Sequence, residues 1–289
     1  MLTYAIVTPV RDEVENLRRL GASLAAQTTR PERWVVVDNG SDRPTLDVIE
    51  ALARTHSWIG AVAAPGHPNP LPGAPIVKAF HAGLGALGSL GDIVVKLDAD
   101  VSLEPHYFEH VLRAFAADEQ LGIAGGVCLE LREGIWQEVT VTGTGVRGAA
   151  RAYRRACLEQ LLPLPECMGW DGVDELKAGV LGWKTELIPG ISFRHHRRLG
   201  ERDGGAHRRW VAQGRGAHYM GYRFSYLLLR SVYRARREPA ALAMPWGYVQ
   251  SALRRRPRFQ DDAVRAHLRR QQSFLRLPGR LRSARARAS

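Results

Sequence analysis

Ile93-Val94-Val95-Lys96-Leu97-Asp98-Ala99-Asp100 reads as a buried strand that runs out into two carboxylates one residue apart. Four of its first five residues are apolar, which suits a strand covered on both faces. On an extended chain residues i and i+2 project to the same side, so Asp98 and Asp100 form a pair of oxygen donors at the strand's carboxyl end. The same rhythm repeats on both sides of this stretch. Strand-like apolar runs at residues 4–8, 34–38, 58–63, 92–97 and 121–128 alternate with helical spacing over 12–27, 44–55, 75–87 and 105–117. This order predicts an α/β fold with a Rossmann-like, mostly parallel central sheet and helices on both faces. In such sheets ligands bind beyond the carboxyl ends of the strands.

The residues just past those ends are polar or acidic. Thr8-Pro9-Val10-Arg11-Asp12-Glu13 follows the first run, Asp38-Asn39-Gly40-Ser41-Asp42 the second, and Asp98-Ala99-Asp100 the fourth. Each alone also reads as a helix cap or a turn; three on one edge of one sheet point to a site. Two carboxylates at a loop edge suit Mg²⁺ or Mn²⁺, which bind few protein oxygens and complete their shell with water and phosphate.

Composition narrows the setting. The 289 residues are 45% hydrophobic, enough for a proper core. Cys128, Cys157 and Cys167 are odd in number and lack metal-ligand spacing, which predicts neither a disulfide framework nor a zinc site and fits a reducing, cytoplasmic setting. The chain enters its first strand with no leader-like segment before it. The net charge of +12 conceals a division: residues 1–190 carry 17 basic and 24 acidic side chains, residues 191–289 carry 24 and 5, and all 24 are arginine. Such a region docks on something anionic or is a solubilising surface.

Beyond the fifth strand, residues 148–162 predict a basic helix, 171–181 a short acidic helix ended by Gly182, and 183–189 a returning strand. From Ala206 onward the spacing is helical and Arg-rich. The uncharged run 239–253, fifteen residues with Pro245 and Gly247 inside it, is shorter than the roughly 20 apolar residues needed to span a bilayer. It predicts a helix lying on a membrane or packed against the sheet.

Together, Ala5-Ile6-Val7-Thr8-Pro9, Val35-Val36-Val37-Asp38-Asn39-Gly40-Ser41, Val95-Lys96-Leu97-Asp98-Ala99-Asp100 with Leu103-Glu104-Pro105, Gly148-Ala149-Ala150-Arg151-Ala152-Tyr153-Arg154-Arg155 and the acidic helix resemble the family-2 glycosyltransferases of the GT-A fold. The resemblance covers residues 1 to about 200 and implies an inverting, metal-assisted transfer of a sugar from a nucleotide-diphosphate donor to a hydroxyl of a saccharide or lipid-linked acceptor. It implies a catalytic domain over 1–200; spacing and composition predict a basic helical region over 201–279 and a disordered tail over 280–289. Asp38 or Asn39, with Thr8 and Pro9 beside them, would contact the nucleotide. Lys78 would serve on the donor-site helix, where Phe80 stands in place of the family's arginine. Asp100 would bind the metal directly, with Asp98 and Ala99 toward the donor ribose or a metal water. One of His195 and His196 would complete the metal shell, with His196 preferred, and Arg194, Arg197 and Arg198 could grip the diphosphate. Asp171 would be the base, Asp174 its alternative one turn on, and Trp170 and Glu175 sugar or acceptor contacts.

The Arg-rich region with Tyr226-Leu227-Leu228-Leu229, Trp246 and Tyr248 further suggests an anionic inner membrane surface as partner, with self-association as the alternative. Interleaved tyrosines among arginines also raise nucleic-acid binding, but no binding motif accompanies them and none is expected. A catalytically inactive, partner-binding scaffold is the other alternative, disfavoured because Asp98, Asp100 and Asp171 are all retained. A nucleotidyltransferase would open with a Gly-rich phosphate loop, which Thr8-Pro9-Val10-Arg11 is not.

Overall fold

The structure, a computed structural model, describes residues 2–64, 73–139, 146–166, 169–197, 205–236 and 238–273. The chain forms two units, Met1–Arg198 and Leu199–Ser289.

The first unit is built on a mixed sheet. Strands β1 (Tyr4–Val10), β2 (Arg33–Asp38), β3 (Ile59–Ala63) and β4 (Ile93–Leu97) are parallel in the order β3-β2-β1-β4. Helices α1 (Val14–Ala25), α2 (Arg43–Thr55) and α3 (Ala74–Ala86) connect them. Asp42 caps α2 by accepting from the Thr45 amide at 3.2 Å, and Pro44 lies in the first turn, where its missing N–H costs nothing. The apolar residues of β1, β2 and β4 are buried, as strands covered on both faces require.

Past β4 the sheet changes character. It continues with β5 (Val101–Leu103), α4 (Tyr107–Ala117), β6 (Leu121–Arg132), β7 (Ile135–Glu138), β8 (Ala150–Arg154), α5 (Arg155–Leu161), α6 (Trp170–Val180) and β9 (Lys184–His195). The full order is β3-β2-β1-β4-β8-β6-β9-β5, with β7 on β6. β8 is antiparallel to both β4 and β6, while β6 and β9 are parallel. The basic helix expected over 148–162 is therefore corrected to a strand followed by a two-turn helix. Arg151 misled the helical reading: it lies inside the sheet, 1% exposed, its charge met by Asp174. Arg154 is likewise turned inward, donating to the carbonyls of Phe115, Asp118 and Leu121. The returning strand is also longer than expected, continuing past Pro189 and Gly190 to His195.

The second unit is helical: α7 (Ala206–Tyr219), α8 (Phe224–Ala235), a 3-10 turn (Pro239–Ala243), α9 (Met244–Leu253) and α10 (Asp262–Gln271). Glycines let α7 and α9 cross closely. A Cβ at Gly214 would lie 1.9 Å from the Met244 carbonyl oxygen, and one at Gly247 would lie 2.0 Å from that of Val211. A small core of Ala217, Leu227 and Met244 sits beside this crossing. Among the described residues no helix is long and apolar enough to cross a membrane. The tail expected over 280–289 lies outside the described residues.

Candidate active site

The carboxyl ends of β1, β2 and β4 lie side by side, and their polar residues have different fates. Asp38 closes its own turn, its two carboxylate oxygens accepting from the Gly40 amide at 3.3 Å and the Ser41 amide at 2.9 Å. The Asn39 amide donates to the Val10 carbonyl, tying the two strand ends together. Asp38, Asn39 and Pro9 remain partly exposed along this edge. Thr8 does not reach it. The residue is fully buried, and its hydroxyl accepts from the Trp34 indole at 2.9 Å, so the expected nucleotide contact from Thr8 is corrected to a role in the core.

At the end of β4 a buried lysine organises the first carboxylate. Lys96 Nζ pairs with Asp98 Oδ1 and donates to the Gly148 carbonyl at 2.8 Å; the same ammonium sits 5.4 Å from the centre of the Trp170 ring. The Asp98 amide donates to the Ala149 carbonyl, fixing the strand end against the segment entering β8. Ala99, between the two aspartates in sequence, is buried.

Asp100 is held from the other side. Its backbone carbonyl accepts from the His196 amide at 2.8 Å, its Oδ1 lies 3.3 Å from His195 Nε2, and its Oδ2 lies 3.3 Å from Arg197 Nη1. Burial opposes the negative charge of Asp100, but His195 and Arg197 outweigh it and hold its pKa below the ordinary value. Burial likewise opposes charge on His195, yet Asp100 and Glu130 push its pKa up to about 9. Asp98, Asp100 and His195 each present a donor atom within 4.8 Å of the others, a cation-sized cluster. Among the described residues Asp100 Oδ1 has no hydrogen-bond partner although it is buried, a state that costs free energy unless a ligand satisfies it. One imidazole and two carboxylates suit Mn²⁺ or Mg²⁺.

His195, not His196, belongs to this cluster. His195 is the last residue of β9, and His196 lies just beyond the strand. The His196 ring turns away to Ser102 Oγ at 2.8 Å and sits edge-on to Trp136, ring centres 5.2 Å apart. Burial, and then the charge of Arg19, lower its pKa to about 4.

Asp171 lies partly exposed in the first turn of α6. A Cβ at Gly148 would come within 3.0 Å of its Oδ2, so Asp171 stands against the segment whose carbonyls receive Lys96 and Asp98. Asp174 is different. It is fully buried, bound to Arg151 Nη1 at 2.7 Å and accepting from the Tyr153 hydroxyl, which removes it from reach of an acceptor and corrects its place as the alternative base. Glu175 is drawn to the same guanidinium, 3.6 Å from Arg151 Nη2. Trp170 is 6% exposed and packed in the core, so it offers no open face for a sugar. Lys78 pairs with Glu166 at 3.5 Å, and Phe80 is buried against Tyr153.

Lys96, Glu130 and Arg151 are charged residues inside strands that the sequence reading passed over. A visible signal was present for two of them: Lys96 interrupts an apolar run two residues before Asp98, and Glu130 follows the long apolar stretch of β6.

Residues 5–134 match the family model described as glycosyl transferase family 2. The 4,4'-diaponeurosporenoate glycosyltransferase of Staphylococcus haemolyticus (strain JCSC1435) is 28% identical over 131 residues, which are 42% of this chain and 30% of that protein. The match thus spans under a third of the relative's length. Two solved structures share the fold at 16% identity. The mannosyltransferase PcManGT from Pyrobaculum calidifontis, in complex with GDP-Man and Mn²⁺, aligns with a TM-score of 0.58 over 96% of this chain and 81% of its own. S. aureus TarS 1–349, in complex with UDP-GlcNAc, aligns with a TM-score of 0.55 over 74% and 65%. Residues 5–134 are thus similar to glycosyl transferase family 2, and the sheet they build shares the GT-A fold of these structures.

Proposed function

We propose that this chain moves a glycosyl group from a nucleoside-diphosphate sugar to a hydroxyl acceptor, with inversion, using a divalent cation held by Asp98, Asp100 and His195. The observation that carries the reading is the buried Oδ1 of Asp100, which makes no hydrogen bond, inside a cluster of two carboxylates and an imidazole. Bound there, Mg²⁺ or Mn²⁺ would neutralise charge on the departing diphosphate. The Mn²⁺ and GDP-Man carried by PcManGT support this choice.

The remaining roles fall to the chain's own groups. Asp38, Asn39 and Pro9 line the edge where the nucleotide would lie, and Arg197, anchored by Glu13 at 2.6 Å, stands beside Asp100 where a phosphate oxygen would arrive. Asp171 takes the proton of the acceptor hydroxyl as its oxygen bonds to the anomeric carbon; the bond from that carbon to the phosphate oxygen breaks, and its electron pair leaves with the diphosphate. A donor-hydrolysis screen across UDP-, GDP- and dTDP-sugars with Mg²⁺, Mn²⁺ or EDTA tests the reading. Activity with one donor that EDTA abolishes is expected; activity indifferent to EDTA contradicts it.

The acceptor is proposed to be lipid-linked or nascent saccharide at an anionic cytoplasmic membrane surface. Helix α8 turns Leu228, Leu229, Val232 and Tyr233 outward at helical spacing, and Leu242, Trp246 and Leu253 are exposed further along. Arg254, Arg255, Arg256 and Arg258 follow, all exposed. Apolar side chains edged by arginine and one tryptophan suit a headgroup interface. Flotation with anionic vesicles but not neutral ones is expected; equal recovery with both, or with neither, removes the membrane from the account.

A further inference from the structure

We infer that Glu130 is a positioning residue that holds the ring of His195, so that Nε2 faces Asp100. The inference rests on the reading of His195 as a cation ligand. Strands β6 and β9 run parallel with Glu130 in register with His195, which sets the two side chains on one side of the sheet. Glu130 Oε1 lies 3.8 Å from His195 Nδ1, while the opposite ring nitrogen lies 3.3 Å from Asp100 Oδ1. Both facing atoms, Glu130 Oε1 and His195 Nδ1, are buried and lack a hydrogen-bond partner among the described residues. Each is the available partner of the other, and closing the gap by under an ångström would satisfy both.

Glu130 is 3% exposed; it is not one of the three groups Asp98, Asp100 and His195, but with Cys128 it forms a second cluster of possible ligand atoms around the same imidazole. It meets the ring at Nδ1, the nitrogen away from Asp100. Once a cation displaces the proton from Nε2, a carboxylate there keeps hydrogen on Nδ1 and leaves the Nε2 lone pair to the cation, the usual arrangement behind a ligating histidine. The other neighbours of Glu130 are Arg132, 3.5 Å from Oε2, and Arg147, 3.9 Å from the same Oε1 that faces His195, neither of them within hydrogen-bond distance of Oε1. A merely structural carboxylate would serve those arginines and be indifferent to the histidine.

Mn²⁺ titration of the full chain, followed by the paramagnetic resonance of free Mn²⁺, separates the two roles. His195→Ala is expected to weaken Mn²⁺ binding. Glu130→Ala should weaken it by about 10- to 100-fold, and Glu130→Gln should recover most of the loss because its amide oxygen still accepts from Nδ1. In the double variant Glu130→Ala/His195→Ala the affinity should equal that of His195→Ala alone. Should Glu130→Ala fail to fold, Glu130→Met is measured in its place. Wild-type affinity in Glu130→Ala beside a weakened His195→Ala overturns the inference, as does a double variant that loses the full factor of both. Wild-type affinity in His195→Ala overturns instead the ligand reading beneath it.

Discussion

Two buried acidic clusters lie in the first unit, and they differ in what their oxygens touch. Around Asp174 both carboxylate oxygens are taken, one by Arg151 and one by the Tyr153 hydroxyl, and the residue has no exposed surface. Around Asp100 both oxygens lie at ion-pair distance, 3.3 Å from Arg197 and 3.3 Å from His195, but the one facing His195 makes no hydrogen bond. The first cluster joins α6 to β8 and leaves neither oxygen of its aspartate open, although Arg151 Nε is buried without a hydrogen bond. The second contains a buried carboxylate oxygen that makes no hydrogen bond, at the sheet edge where ligands of such folds bind. Burial and charge are common to both; a carboxylate oxygen without a hydrogen bond distinguishes the second.

That comparison can be broken by substitution. The largest expected effect is on turnover: Asp171→Asn should lower kcat by about 10²- to 10⁴-fold with nucleotide affinity nearly unchanged, the loss typical of a missing general base. Full activity in that variant would move the base elsewhere. Asp174→Ala should instead act on the fold, leaving Arg151 charged in the sheet without its nearest carboxylate, at a cost of about 3–5 kcal/mol in urea unfolding. If it unfolds like the wild type but loses turnover, the strut and the site have been confused. Thr8→Val strips the acceptor from the buried Trp34 indole and should cost about 1–3 kcal/mol of stability, with nucleotide affinity unaltered. Weakened nucleotide binding without lost stability would return Thr8 to the site. The smallest effect is expected from His196→Ala, which should leave Mn²⁺ affinity at the wild-type level by the same titration that finds His195→Ala weakened.

Much of this was legible in the sequence because the parallel half of the sheet obeys simple rules. β1 to β4 are apolar runs with helices between them, and the acidic residues at their ends fall where strand polarity puts them. The antiparallel half resisted for a physical reason. Residues 150–154 carry two arginines, and propensity reads them as a solvated helix face; the distant Asp174 and the carbonyls of Val146, Phe115, Asp118 and Leu121 make their burial tolerable. The choice between His195 and His196 depended on strand register, which a sequence alone leaves open by one residue. Asp174 looked equivalent to Asp171 because three residues apart on a helix lie on neighbouring positions, yet one meets the partly exposed side of α6 and the other the sheet. Trp170 and Thr8 share that lesson: residue type suggested a ligand contact, and packing assigned them to the interior.

The central claim is that the Asp98, Asp100 and His195 cluster holds a cation through which a nucleoside diphosphate binds. Calorimetric titration of UDP and of GDP into the full chain, with Mn²⁺ and again with EDTA, and repeated with Asp100→Ala, tests it most directly. At least one nucleotide should bind with Mn²⁺, and that binding should disappear both with EDTA and in Asp100→Ala. Equal affinity with Mn²⁺ and with EDTA, undiminished in Asp100→Ala, would contradict the account.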